Sequence, residues 1–137
     1  MLQRRLFVGC ALCSIGGLVA TEVAAQAPAA PGAAGVRRKI LQQTEGPMPG
    51  YVTVAVEIEI DAGFLVARHT HPGIESTYAM EGGGQLQVDG QPALPVQPGV
   101  AFQVPMATPH SFQNGDKVTK LAATFVVEKG KPLASPA

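Results

Sequence analysis

The chain has 137 residues, the length of one domain, and its 10 Lys and Arg balance its 10 Asp and Glu. That balance, with no long basic run, excludes an electrostatic basis for binding nucleic acid or an anionic membrane. Two cysteines and three histidines in the whole chain leave few residues able to carry reactive chemistry, so their positions matter.

The N-terminus is an export signal in composition. Gln3, Arg4 and Arg5 form a short basic start, Leu6 to Ala20 is an apolar run, and Val23-Ala24-Ala25 supplies the small residues read by a signal peptidase. Residues 1–25 are therefore expected to be cleaved, leaving a periplasmic or secreted protein with no membrane attachment. A membrane anchor is disfavoured because the run is short for a span of about 20 residues and contains Gly9, Gly16 and Gly17. Arg4-Arg5-Leu6-Phe7 resembles a twin-arginine signal without its usual flanking polar residues, and a lipoprotein reading through Cys10 or Cys13 fits worse. Both cysteines lie inside the signal, so the mature chain has no thiol and any metal must be held by nitrogen and oxygen. Loss of Arg4, Arg5 and Glu22 takes the charge from 10 − 10 to 8 − 9, a net of −1.

Residues 26–35 are rich in Ala, Pro and Gly and read as a flexible linker. The folded unit is expected over 36–128, and 129–137 reads as a C-terminal tail, with Pro132 and Pro136 arguing against regular structure. Within the folded unit the pattern has period two. Val52, Val54, Val56, Ile58 and Ile60 share one face of a strand, and Thr53, Glu57 and Glu59 share the other. Turn residues recur at Asp61-Ala62-Gly63, Glu81 to Gly84, Asp89-Gly90, Gln97-Pro98-Gly99 and Asn114-Gly115-Asp116, leaving only short strands between them. Val118 to Glu128 is apolar on both faces towards its end and is expected to close a sheet. No helical period follows residue 35, so the fold class is all-β, a sandwich or barrel.

His69 and His71 are two residues apart, which on a strand points both rings to one side with roughly 7 Å between backbone positions. Glu75 follows beyond the turn Pro72-Gly73, which bends the chain so that a carboxylate returns towards the same point. The third histidine, His110, sits between Pro109 and a turn. A lone histidine is best read as a partly buried residue bonded to backbone groups. A pair at i and i+2 with a following glutamate instead favours a metal site.

These segments resemble the cupin family. Residues 63–82 match the first cupin motif, G-x5-H-x-H-x3-E-x6-G, at Gly63, His69, His71, Glu75 and Gly82. Residues 99–114 match the second, G-x5-P-x-G-x2-H-x3-N, at Gly99, Pro105, His110 and Asn114. Ala107 stands where the family has glycine, and a left-handed backbone there costs an alanine about 1 kcal/mol.

The resemblance implies a single-domain antiparallel jelly-roll β barrel in which His69, His71, Glu75 and His110 converge on one divalent transition metal. Such ligands suit iron, manganese, nickel, copper, cobalt or zinc, and folding around the metal before a twin-arginine export would favour iron or manganese. The expected partner is a small organic molecule, and dioxygenase-type oxidation is the leading reaction. A lyase or isomerase using the metal as a Lewis acid, or a non-catalytic binding or sensing module, are the alternatives. Thr77, Phe102 and Phe112 are candidate pocket residues because strand alternation points Thr77 inward with Glu75 and Phe112 inward with His110, while Phe102 shares a face with Val100 and Val104. Arg68 and Tyr78 lie on the opposite parity and carry no assigned chemistry. Cupins dimerise through edge strands, and Val36 to Gln43, with Ile40 and Leu41, is the expected edge of a homodimer.

Overall fold

The computed structural model describes residues 34–137. The expected signal at 1–25 and most of the 26–35 linker lie outside the described residues. Ten strands follow in order: β1 Val36–Glu45, β2 Tyr51–Ile60, β3 Leu65–Thr70, β4 Gly73–Glu81, β5 Gly84–Val88, β6 Leu94–Val96, β7 Ala101–Val104, β8 His110–Asn114, β9 Thr119–Glu128 and β10 Ser135–Pro136. There is no helix among the described residues.

The strands form two five-stranded sheets, β1-β2-β9-β4-β7 and β10-β3-β8-β5-β6, with every pairing antiparallel. This is the all-β architecture that the spacing of turns predicts, in the jelly-roll form that the family resemblance implies. Period-two alternation decides what fills it. The inward residues of β2, from Val52 to Ile60, face those of β9, where Thr119, Leu121, Ala123, Phe125 and Val127 are all buried. Leu86, Val88 and Phe112 supply the apolar side of the second sheet. β9 occupies the middle of its sheet, between β2 and β4, so its apolar character on both faces belongs to a central strand.

A buried polar knot closes one end. The Asn114 amide nitrogen lies within hydrogen-bonding distance of the carbonyls of Ile60, Asp61 and Lys117, and its oxygen accepts from the Thr119 hydroxyl. Thr119 in turn accepts from the Gly83 backbone N–H. The second motif's asparagine thus ties three turns together and touches no site residue.

The segment 129–137 differs from the tail expected of it. Ser135 and Pro136 pair with Thr70 and His69 of β3, and Leu133 packs against the core. Proline tolerates this position because β10 is an edge strand, where a missing N–H removes no interior ladder bond.

Candidate metal centre

Sheet pairing brings the two histidine-bearing segments together. His69 on β3 stands directly opposite His110 at the start of β8, and their rings lie 4.2 Å apart between centroids. His71 follows the end of β3, with its ring centroid 4.8 Å from His69 and 4.9 Å from His110. The chain then turns at Pro72 into β4, whose first residue must be glycine: a Cβ on Gly73 would sit 1.9 Å from the Val126 carbonyl oxygen. That close approach to β9 sets the parity of β4, so Glu75 and Thr77 point inward and Tyr78 outward.

Ala107, at the position where glycine was expected, has φ 54° and so adopts the left-handed conformation. Its N–H donates to the His71 carbonyl at 3.0 Å, joining the turn before β8 to the end of the first histidine segment. The strain at Ala107 therefore accompanies a bond that holds the two halves of the site in register.

Each histidine has its ring orientation fixed by a backbone carbonyl. Nδ1 of His69 lies 2.7 Å from the Ala67 oxygen, Nδ1 of His71 2.6 Å from the Leu133 oxygen, and Nδ1 of His110 3.0 Å from the Thr108 oxygen. A carbonyl only accepts, so all three Nδ1 atoms carry the proton, and Nε2 is the nitrogen of each ring left to face the cluster. The ligand atoms of the three histidines all lie within 4.8 Å of one another.

Glu75 completes the cluster from β4. Its Oε2 is 3.0 Å from His71 Nε2 and 3.4 Å from His110 Nε2, and its Oε1 accepts from the Thr77 hydroxyl at 2.6 Å. Desolvation opposes ionisation of this carboxyl, but the hydrogen bonds it accepts where a proton lies between it and His110 or His71, and from the Thr77 hydroxyl, outweigh burial and hold it well below the usual carboxylate range. For His69, desolvation is the largest influence and lowers its pKa to about 4, leaving it neutral at pH 7.

A carboxylate oxygen facing two bare nitrogen lone pairs is repulsive unless a proton or a cation lies between them. Two donors about 2.1 Å from one ion and at right angles are about 3.0 Å apart, which matches the His71–Glu75 separation. The donor set, its tautomers and its spacing therefore fit a divalent metal. Glu75 approaches two of the histidines and lies outside the tight three-histidine group, so it stands at one side of the cluster.

The cluster opens into a cavity of about 40 Å³, large enough to hold water. Phe102 and Phe112 line it with Phe125 and the aliphatic side chains of Val36, Ile58, Ile60, Val66, Leu86 and Leu121. Thr77, the third pocket candidate, does not line this cavity; its hydroxyl is directed to Glu75. Sequence reasoning missed two contributors: the Leu133 carbonyl, which is backbone, and Arg38, which lines the cavity from β1. The signal for Arg38 was its place two residues after the buried Val36, in the same phase of a strand. Arg68 and Tyr78 face outward, with Arg68 paired to Asp89.

A family model described as the cupin domain matches residues 56–130. No curated protein matches the chain. Among solved structures, KdgF from Halomonas sp. is similar at a TM-score of 0.59 and 23% identity, over 72% of this chain and 85% of that one. The polyketide cyclase RemF from Streptomyces resistomycificus is similar at 0.60 and 24%, over 78% and 74%. The DMSP lyase DddQ from Ruegeria pomeroyi is similar at 0.62 and 19%, over 75% of this chain and 52% of that one, so this chain spans about half its length. At these identities the likeness is one of fold.

Proposed function

The chain belongs to the cupin family, and we propose that it is an exported metal-dependent enzyme acting on a small organic molecule, with His69, His71, Glu75 and His110 holding one divalent transition metal. The observation that carries this reading is the orientation of the imidazoles: three Nδ1–H groups committed to backbone carbonyls leave three Nε2 lone pairs, two of them facing a carboxylate oxygen. A histidine cluster serving only to fill the barrel has no reason to turn its lone pairs towards one another.

A bound ion there supplies Lewis acidity or, as iron or manganese, a redox-active centre for dioxygen chemistry. The protein's own contribution is positioning. Backbone carbonyls fix the rings, Thr77 fixes Glu75, and Phe102, Phe112 and Phe125 line the cavity with apolar surface that limits the water around the reacting groups. Among the described residues, Arg38 is the one titratable side chain lining the cavity apart from the four proposed ligands, so none of the others there is placed to shuttle a proton.

Dioxygenase-type oxidation is the first reaction class. A Lewis-acid lyase or cyclase is the second, supported by structural likeness to a DMSP lyase and a polyketide cyclase. A binding or sensing module shares the metal centre and lacks turnover. Cleavage after residue 25 would release the protein to the periplasm or medium, and the exposed edge strand β1 suits a homodimer.

Metal analysis of untagged protein, followed by oxygen uptake and product analysis with small organic substrates, separates these readings. Wild-type protein is expected to carry close to one equivalent of metal, and His69→Ala and His110→Ala to lose most of it. Full metal content in both variants would sink the ligand assignment. Turnover without oxygen uptake would favour the lyase or cyclase class, and metal without any turnover the binding module.

A further inference from the structure

β1 begins Val36-Arg37-Arg38-Lys39-Ile40 and pairs with β2 so that Val36 is opposite Ile60, Arg38 opposite Ile58 and Ile40 opposite Val56. Those three β2 residues are buried; on β1 Val36 is buried and Ile40 exposed, and Arg38 stands between them, turned inward beside Val36. It is half-buried, and it lines the same cavity as His69, His71, Glu75 and His110.

The arginines on either side of it in sequence are paired. Arg37 bonds Glu59 and Asp61, and Arg68 bonds Asp89, all on the outer surface. Among the described residues Arg38 is the one arginine with no hydrogen bond or ion pair to another described residue. Desolvation lowers its pKa and the charge of Glu75 acts in the opposite direction, yet the two side chains form no ion pair. Glu75 is committed to the histidines and Thr77.

A guanidinium remains charged at any pH the fold tolerates, and its planar fork matches the two oxygens of a carboxylate. Placing such a group unpaired in an apolar cavity is unfavourable for folding, and a ligand can supply the missing partner. The charges point the same way: a divalent ion (+2), Glu75 (−1), Arg38 (+1) and three neutral imidazoles sum to +2. An anionic ligand relieves that charge where a neutral one does not.

We propose that Arg38 receives the carboxylate of a small organic acid whose apolar body lies against Val36, Ile58 and Phe102. The ligand class is then a small monocarboxylate. The metal centre enters only as the second contact of that ligand, so this assignment deepens the reading of the site as a small-molecule centre while Arg38 itself is testable without metal.

The test is calorimetric titration with isobutyrate and with its neutral isostere isobutyramide, on metal-free and metal-loaded protein, for wild type, Arg38→Met and Arg38→Gln. Metal-free wild type is expected to bind isobutyrate at least tenfold more tightly than isobutyramide. Both variants are expected to lose that preference while their metal affinity, read by chelator competition, stays within threefold of wild type. Should Arg38→Met fail to fold, Arg38→Gln carries the same comparison. Equal binding of acid and amide by wild type, no binding of the acid, or a preference that survives both substitutions overturns the proposal. Wild type that binds the acid but takes up no metal would end the metal reading and leave the Arg38 assignment standing.

Discussion

At the scale of single residues, Thr77 shows how a side chain outside the cavity wall acts on the site. Its hydroxyl fixes one oxygen of Glu75, leaving the other turned towards His71 and His110. Thr77→Val keeps the shape and removes the donor, so the fold is expected to persist while metal affinity falls roughly 10- to 100-fold. Chelator competition measures this, and unchanged affinity would show that packing alone orients Glu75. Acid dependence follows from the same cluster. The His69 pKa, lowered by desolvation to about 4 from 6.5, means that the unfolded chain binds a proton between those values that the folded chain does not. Its contribution to stability is therefore complete above pH 6.5 and lost as pH falls towards 4. Glu75, held below its ordinary value of 4.5, adds a loss at lower pH as it protonates. Metal-free protein is expected to show a thermal midpoint that drops steadily from pH 7 to pH 4, and a flat profile across that range would contradict a desolvated neutral His69.

At the scale of elements, the last residues of the chain belong to the site. β10 pairs with β3, and the Leu133 carbonyl before it accepts the His71 Nδ1 proton. Deleting residues 131–137 is expected to leave a folded barrel, because β1 to β9 are complete without them, and to weaken metal binding roughly 10- to 100-fold by freeing the His71 ring. Wild-type affinity in the truncated protein would make the carbonyl contact incidental. The contrast between this element and β2 explains what the sequence could convey. In β2 the alternation of Val52 to Ile60 is written in side chains, and the structure buries every second residue as that pattern requires. The His69, His71, Glu75 and His110 cluster was legible for the same reason, as reactive side chains at fixed spacing. The Leu133 contact is made by a backbone carbonyl, which every residue has, and two nearby prolines argue against structure there. Arg38 was hidden differently: it stands among Arg37 and Lys39, and only strand phase separates the inward charge from its outward neighbours. Ala107 was legible as a departure from glycine, and the structure shows the left-handed turn retained at the alanine's expense.

At the scale of the whole molecule, one sheet is covered unequally. Its inner face carries the core, and its outer face presents Ala55, Tyr78, Ala101 and Ala122 beside Leu41 of β1, with Ile74 and Met80 also exposed. β1 is an edge strand of that sheet, and its register slips between Ile40 and Gln42, bringing Leu41 out where it is 51% exposed. A strand at the edge of its sheet among the described residues, bordered by apolar side chains, invites pairing with another chain, and a second copy offers the self-complementary surface that a two-fold dimer requires. The proposed homodimer predicts that light scattering coupled to size exclusion gives twice the mass of the single chain. Leu41→Glu combined with Tyr78→Glu is expected to yield monomer, since both carboxylates would be buried without partners in the interface. The monomer should keep its metal, because all four proposed ligands come from one chain. A wild-type protein that runs as a monomer at concentrations well above micromolar would remove the dimer and leave the metal centre unaffected.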